Sequence, residues 1–225
     1  MRATAGLDER RPVHYHKSQG LTMTSIVLAG GEGKRLGKNK LFEVVGGRPL
    51  VQRVIDRLDP ISDRILVVTG EGQPQPAIEA RHARLSFASD IYPRKGVLGG
   101  IFTGLSLTEA GHSLVVAADM PFLNPGLLRW LMDAAAGCDV VMPRLQGLIH
   151  PLHAVYSRSC LPAFRRELEE GRLQIRAILP SVRVKYVDEA QIDRLDPDHL
   201  SFRNINTLAD LEEARRIAGT LVDSE

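Results

Sequence analysis

The segment Leu28-Ala29-Gly30-Gly31-Glu32-Gly33-Lys34-Arg35-Leu36-Gly37-Lys38-Asn39-Lys40 crowds glycines and basic side chains into one short stretch directly after an apolar run. Glycines in a loop leaving a strand let backbone N–H groups approach an anion with no Cβ in the way. Arg35 and Lys40 would add charge-assisted hydrogen bonds, so the chemistry suggested is polyphosphate binding. Two standard phosphate loops fail on spacing. A Walker A loop needs Gly-x4-Gly-Lys-Ser/Thr, but Glu32 stands five residues before Gly37 and Asn39 follows Lys38. The dinucleotide pattern Gly-x-Gly-x-x-Gly fails by one residue, because position 36 is leucine. The plain alternative is a glycine-rich turn with solvated lysines.

Asp119, in Ala117-Ala118-Asp119-Met120-Pro121-Phe122, follows the most apolar run of the chain. Open α/β sheets place their ligands at the carboxyl ends of such strands. A carboxylate there suits Mg²⁺, which takes one or two carboxylates and completes its shell with phosphate oxygens and water; the alternative is an aspartate that opens a turn before Pro121. A third segment, Ser89-Asp90-Ile91-Tyr92-Pro93-Arg94-Lys95-Gly96-Val97-Leu98-Gly99-Gly100, sets an acid, two bases and glycines just before a helical pattern, where an anion could rest on the helix N-terminus. Asn204 and Asn206 offer amide edges to a heterocycle or caps to the last helix. His14 and His16 are read as tail residues rather than metal ligands.

These residues need a scaffold, and the apolar pattern supplies one. Buried runs at Ser25–Ala29, Arg64–Thr69, Arg84–Ala88, Ser113–Ala118 and Asp139–Met142 predict strands. Helical spacing follows at Leu50, Val51, Val54, Ile55 and Leu58, over Gly99–Ala110, and through Leu127, Leu128, Leu131 and Met132 behind an Asn124-Pro125 cap. Strands separated by helices of this length indicate βαβ units and a mainly parallel sheet. Beyond Pro143 the alternation is less regular: strands are expected at Leu152–Tyr156 and Val182–Val187, and helices at Cys160–Glu170 and Thr207–Ala218. Residues 1–22 lack apolar periodicity and the apolar stretch of a signal peptide, so they are expected to be a disordered extension to one domain over 23–225.

Composition narrows the class. The chain has 225 residues, 44% hydrophobic and 25% charged, as in an ordinary globular protein. Twenty-nine basic against 27 acidic residues leave a net charge of +2, too balanced for a nucleic-acid coat. No apolar run approaches the roughly 18–20 residues of a membrane span. Cys138 and Cys160 have neither zinc spacing nor a disulfide framework, which fits a reducing, cytoplasmic setting.

In order along the chain stand Leu28–Gly31, Arg35-Leu36-Gly37, Lys40, Asp90, Leu98-Gly99-Gly100, Asp119-Met120-Pro121, Pro151-Leu152-His153-Ala154 and Asn204-Ile205-Asn206-Thr207. This series resembles the molybdenum cofactor guanylyltransferase family over about residues 24–218. The resemblance implies a Rossmann-like three-layer α/β sandwich with a mainly parallel central sheet, as in nucleotide-diphospho-sugar transferases. It implies transfer of GMP from GTP to the terminal phosphate of molybdopterin, with release of pyrophosphate. Carried over residue by residue, it assigns GTP to Leu28, Ala29, Gly30, Gly31, Lys40, Asp90 and Asp119, and Mg²⁺ to Asp119. The catalytic set becomes Lys40, Asp119 and Arg35. GTP and molybdopterin are the implied small-molecule partners, together with transient contact with molybdenum-cofactor proteins; neither nucleic acid nor a membrane is implied. His150-Pro151-Leu152-His153 is expected to shape the pterin half of the cleft rather than to act as acid or base. The chain departs from the pattern at Asn39, where many members have Asp before the lysine, and at Thr69-Gly70, where some have Asn; Thr69 is therefore not carried over. Competing readings are a pterin cytidylyltransferase, which tends to have Leu-Ala-Ala-Gly at 28–31, a sugar-1-phosphate nucleotidyltransferase, and an accessory module that binds a nucleotide without turnover.

Overall fold

The computed structural model describes residues 23–30 and 40–222. Strand β1 (Thr24–Leu28) lies between β4 (Arg64–Thr69) and β6 (His112–Ala117), parallel to both. Outward from β4 comes β5 (Arg84–Ser89), also parallel. Beyond β6 come the antiparallel β9 (His153–Ser157), then β7 (Val140–Leu145) and the edge strand β10 (Val184–Val187), which runs parallel to β7. The sheet order is β10-β7-β9-β6-β1-β4-β5, and the short β8 (Leu148–Ile149) hairpins onto β7. The mainly parallel sheet read from the sequence is thus observed, with β9 as an antiparallel insertion.

In the central strands side chains alternate between two apolar layers, as a doubly covered sheet requires. Register partners Val27, Val67 and Val116 face one layer, built on α1 (Leu50–Leu58) and α3 (Pro125–Asp133). Ile26, Leu66 and Val115 face the other, built on α2 (Gly96–Leu107) and α4 (Leu161–Glu169). Asn124 caps α3 as its sequence suggests, its side chain accepting the Leu127 N–H. After the short α5 (Glu189–Ile192), the long last helix α6 (Leu208–Val222) closes a third, smaller core with the hairpin β2 (Val44–Val45) and β3 (Arg48–Pro49), around Val45, Leu50, Phe122 and Leu211. No helix among the described residues is long and apolar enough to cross a membrane.

Helix α2 starts at Gly96, so Gly99 and Gly100 lie inside it and not ahead of it. A Cβ on Gly104 would stand 2.5 Å from Ile26 Cγ2, and one on Gly100 3.2 Å from Leu28 Cδ1. These two glycines let α2 press directly onto β1. Gly100 and Gly104 thus serve helix–sheet packing, while Gly99 packs on the turn at Tyr92 and Lys95.

Candidate functional site

Chain order places the site. After β1 the chain moves through α1 to β4 and β5 on one side, then returns through α2 to β6 on the other side of β1. The crevice between the carboxyl ends of β1 and β6 is therefore a topological switch point, where open α/β sheets bind ligands. The ladder continues one residue past each strand: Ala29 N–H donates to Val68 and Ala118 N–H donates to Leu28. Ala29-Gly30 and Asp119 consequently leave the sheet side by side. A Cβ on Gly30 would meet Gly70 N at 3.0 Å, so only glycine fits there without shifting the backbone.

Asp119 is the centre of a polar cluster drawn from three parts of the chain. Lys40, at the start of a short 3₁₀ turn, donates from Nζ to Asp119 Oδ2 at 2.6 Å and to Asn206 Oδ1 at 2.8 Å. Asn204 Nδ2 donates to the other carboxylate oxygen, Oδ1, at 2.8 Å. Lys40 and Asp119 side chains are mostly enclosed, at 15% and 17% exposure. Charge-assisted bonds of this length lie at the strong end of the protein range. The two asparagines were visible as a motif, but nothing in the sequence signals a bond across 85 residues; their alternative role as helix caps falls to others. Thr207 caps α6, accepting from Asp210 N–H while the Asp210 carboxylate accepts from the Asn206 and Thr207 N–H groups.

The segment carrying the asparagines is strapped down on the loop after β6. Ile205 N–H donates to the Asp119 carbonyl, Asn124 N–H donates to Ser201 Oγ at 2.7 Å, and Asn124 Nδ2 donates to the Leu195 carbonyl. Beneath the strap, Phe202 lies over His153 with ring centroids 4.3 Å apart, and His150 meets the same ring edge-on. His153 has 0% exposure, so it is a support beneath the site and not a wall of an open cleft. Burial, reinforced by His150, pushes its imidazole down to about 3. The Ser201 backbone lies near enough to favour the protonated ring, yet neither ring nitrogen makes a hydrogen bond of good geometry. A neutral ring of this kind is no general acid near pH 7.

Asp90 stands apart. Its Oδ1 accepts from the Thr103 hydroxyl at 2.7 Å and from Tyr92 N–H at 3.0 Å, which ties the turn after β5 to α2. Three inter-strand steps of ~4.8 Å separate the end of β5 from that of β6, about 14 Å. Asp90 and Asp119 therefore cannot share one ion, but one extended ligand can reach both. In the same turn Arg94 adopts φ 65°, a left-handed conformation uncommon for a non-glycine residue. Thr69 is occupied in the sheet, its hydroxyl directed at the Ala88 carbonyl. Leu28 packs with the α2-side layer. Gly31 and Arg35, together with the extension 1–22, lie outside the described residues. Two cavities of about 300 Å³ lie elsewhere, one beside Asp139, Ser159 and Arg166 and one near Thr24, Arg64 and Ser86 at the opposite end of the sheet.

The cluster fits a divalent cation only in part. Among the described residues no three His, Cys, Asp or Glu side chains converge as a metal cage. One carboxylate and neighbouring amide oxygens match Mg²⁺ when a substrate supplies the remaining oxygens.

The MobA-like NTP transferase domain matches residues 25–185. The molybdenum cofactor guanylyltransferase of Desulfosudis oleivorans is 34% identical over 194 residues, 85% of this chain and 94% of that protein. The probable molybdenum cofactor guanylyltransferase of Natronomonas pharaonis is 38% identical over 199 residues, 85% and 96% of the two chains. Among solved structures, molybdopterin-guanine dinucleotide biosynthesis protein A from Archaeoglobus fulgidus superposes with a TM-score of 0.73 at 27% identity, over 88% of this chain and all (100%) of that one. The 2-C-methyl-D-erythritol 4-phosphate cytidylyltransferase of Thermus thermophilus shares the fold, with a TM-score of 0.61 at 18% identity over 86% and 98% of the chains.

Proposed function

The chain belongs to the MobA-like NTP transferase family, with molybdenum cofactor guanylyltransferases as its relatives, and from that premise we propose that it transfers GMP from GTP to the terminal phosphate of molybdopterin. One observation carries the assignment to this site: Lys40, Asp119, Asn204 and Asn206 converge at the switch point of the sheet, where Ala29-Gly30 and Asp119 leave adjoining strands.

An oxygen of the pterin's terminal phosphate attacks the α-phosphorus of GTP; the bond to the β-phosphate breaks, pyrophosphate leaves, and a new P–O–P linkage joins the two halves. A phosphate monoester has a second pKa near ~6, so the nucleophile is already largely dianionic at pH 7 and needs no base from the protein. The neutral, buried His153 agrees with this. The protein's task is to align two anions and balance the charge that builds up between them. Backbone groups at Ala29-Gly30 and the following loop, with Gly31 and Arg35, would seat the phosphates; Lys40 would neutralise the departing pyrophosphate; and Asp90, about 14 Å along the sheet edge, would meet the nucleoside end. Asp119 would hold Mg²⁺, which when bound supplies Lewis-acid stabilisation of the phosphoryl oxygens. Asn204 would keep the Asp119 carboxylate oriented. Gly30, where pterin cytidylyltransferases tend to have alanine, favours guanine over cytosine.

Thermal shift with Mg²⁺ and each nucleotide tests the choice. At a hundredfold excess over Kd, ligand binding adds about 2.7 kcal/mol. For a chain of this size that raises Tm by roughly 5–10 °C with GTP, and CTP and ATP are expected to do far less. Stabilisation by CTP in place of GTP overturns the guanine assignment.

A further inference from the structure

We infer that Lys40 doubles as a resident cation on Asp119, so that a divalent metal can take the carboxylate only when a nucleotide triphosphate draws the ammonium away. The inference rests on the reading of Asp119 as metal ligand. Its ground is the way the cluster's own side chains are bonded to one another. Lys40 Nζ sits between Asp119 Oδ2 and Asn206 Oδ1, two hard oxygens of the kind that Mg²⁺ or Mn²⁺ selects. Asn204 occupies the remaining carboxylate oxygen. Among the described residues no three His, Cys, Asp or Glu side chains gather into a metal-binding group. A bare divalent ion thus meets a carboxylate already paired with an ammonium, while the Asp210 carboxylate, which feels the Lys40 charge, is itself tied to the Asn206 and Thr207 N–H groups. The triphosphate changes both sides of that competition. It offers Lys40 a more highly charged acceptor, reached by rotating a flexible four-carbon stem. It also offers the ion the phosphate oxygens that the protein lacks. The two cations then exchange partners, the ammonium passing from carboxylate to phosphate as the metal passes onto the carboxylate. Metal and nucleotide affinities become positively coupled through Lys40, and linkage makes that coupling reciprocal.

The test needs no turnover. Mn²⁺ binding to nucleotide-free protein is measured by electron paramagnetic resonance of the free ion, for wild type, Lys40→Met, Lys40→Ala and the double variant Lys40→Met/Asp119→Asn. Removing the resident cation is expected to tighten Mn²⁺ binding at least about fivefold in either single variant, the low end of measured site–site couplings. The double variant is expected to return to wild-type affinity or weaker. The alanine variant carries the test should the methionine variant fail to fold. Unchanged or weaker Mn²⁺ binding in the folded single variants overturns the inference, and so does tight binding that survives loss of Asp119. The outcome is distinguishable from failure of the proposed function: a wild type that binds no GTP with Mg²⁺ present sinks that function, whereas normal GTP binding with Mn²⁺ affinity indifferent to Lys40 sinks only the exchange.

Discussion

Asp119 and Asp139 have the same side-chain exposure, 17%, and each is ion-paired, but they sit at opposite ends of the sheet and are held in different ways. Asp139, just before β7, accepts from Arg183 N–H and from two nitrogens of the Arg183 guanidinium, as well as from the Ser159 hydroxyl. Its own backbone N–H returns to the Arg183 carbonyl, and its carbonyl accepts from Ser157. The bond from the Arg183 side chain, helped by that from its backbone, holds the Asp139 carboxyl far below the usual carboxylate range. Asp59 is similar: burial works against its charge, but N–H groups of Ala83, His82 and Arg81 outweigh it and lower the pKa. Asp119 takes no backbone donor on its carboxylate among the described residues; its partners are the side chains of Lys40 and Asn204. Backbone donors cannot leave without unfolding a strand end, whereas side-chain donors can turn to another acceptor. Stitching at the amino end and exchangeable partners at the carboxyl end divide stability from chemistry.

Substituting Asp119 strikes hardest at that division. Asp119→Asn keeps size and one acceptor oxygen but loses the charge that holds a hard cation. Metal stabilisation of the transition state is worth several kcal/mol, and each ~1.4 kcal/mol is a factor of ten, so pyrophosphate release with GTP, Mg²⁺ and molybdopterin is expected to fall at least about a hundredfold. Its Tm should fall by only a few degrees, because asparagine keeps one acceptor oxygen, Lys40 keeps its bond to Asn206 and no backbone donor is stranded. A Tm loss as large as the activity loss is severe would place Asp119 among the stitches and erase the contrast.

Lys40→Ala is expected next in size. A charge-assisted hydrogen bond to phosphate is worth roughly 1.5–3 kcal/mol, so calorimetry should show GTP affinity reduced about ten- to a hundredfold with the melting curve near wild type. Unchanged GTP affinity would remove Lys40 from the phosphate site.

Asp139→Asn gives the smallest effect and the opposite pattern. Loss of a hydrogen-bonded partner costs about 1–3 kcal/mol, or roughly 2–10 °C in Tm, with kcat per folded molecule unchanged. Because the folded-state pKa is lowered, the stabilisation is fully present above the unfolded carboxylate value of about 3.9 and is lost as pH falls through the folded one. The Tm gap between wild type and variant should therefore be constant near neutrality and close below about pH 4. A gap that persists in acid would show that Asp139 acts by packing and not by charge.

Much of this architecture is written locally. Arg64–Thr69 and Leu50–Leu58 form as read, because a continuous apolar run rich in β-branched residues and an i, i+3, i+4 spacing each specify one way to bury apolar surface. Boundaries slipped where packing overrode pattern: α2 begins at Gly96 and not at Gly99, since the glycines that look like breakers are what admit the helix to β1. Antiparallel β9 and the parallel edge β10 were legible as strands but not as neighbours, since pairing depends on contacts across the chain.

The glycine loop, Lys40, Asp90 and Asp119 could be named from the sequence because each sits next to its own signal, a strand end or a turn. What Asp119 is bonded to could not. Asn204 reaches it across 85 residues and Asn206 holds its Lys40 partner, both on a segment fixed by Ser201 on Asn124 and by Phe202 on His153. A sequence records which side chains are present and how they space along one element. It carries no term for the long loop closures that bring three elements onto one carboxylate, because their entropy is repaid only by the folded core. Residue types and strand order thus pointed to the kind of site, and tertiary packing alone decided that its acid is held by one ammonium and one amide, with the second amide on the ammonium.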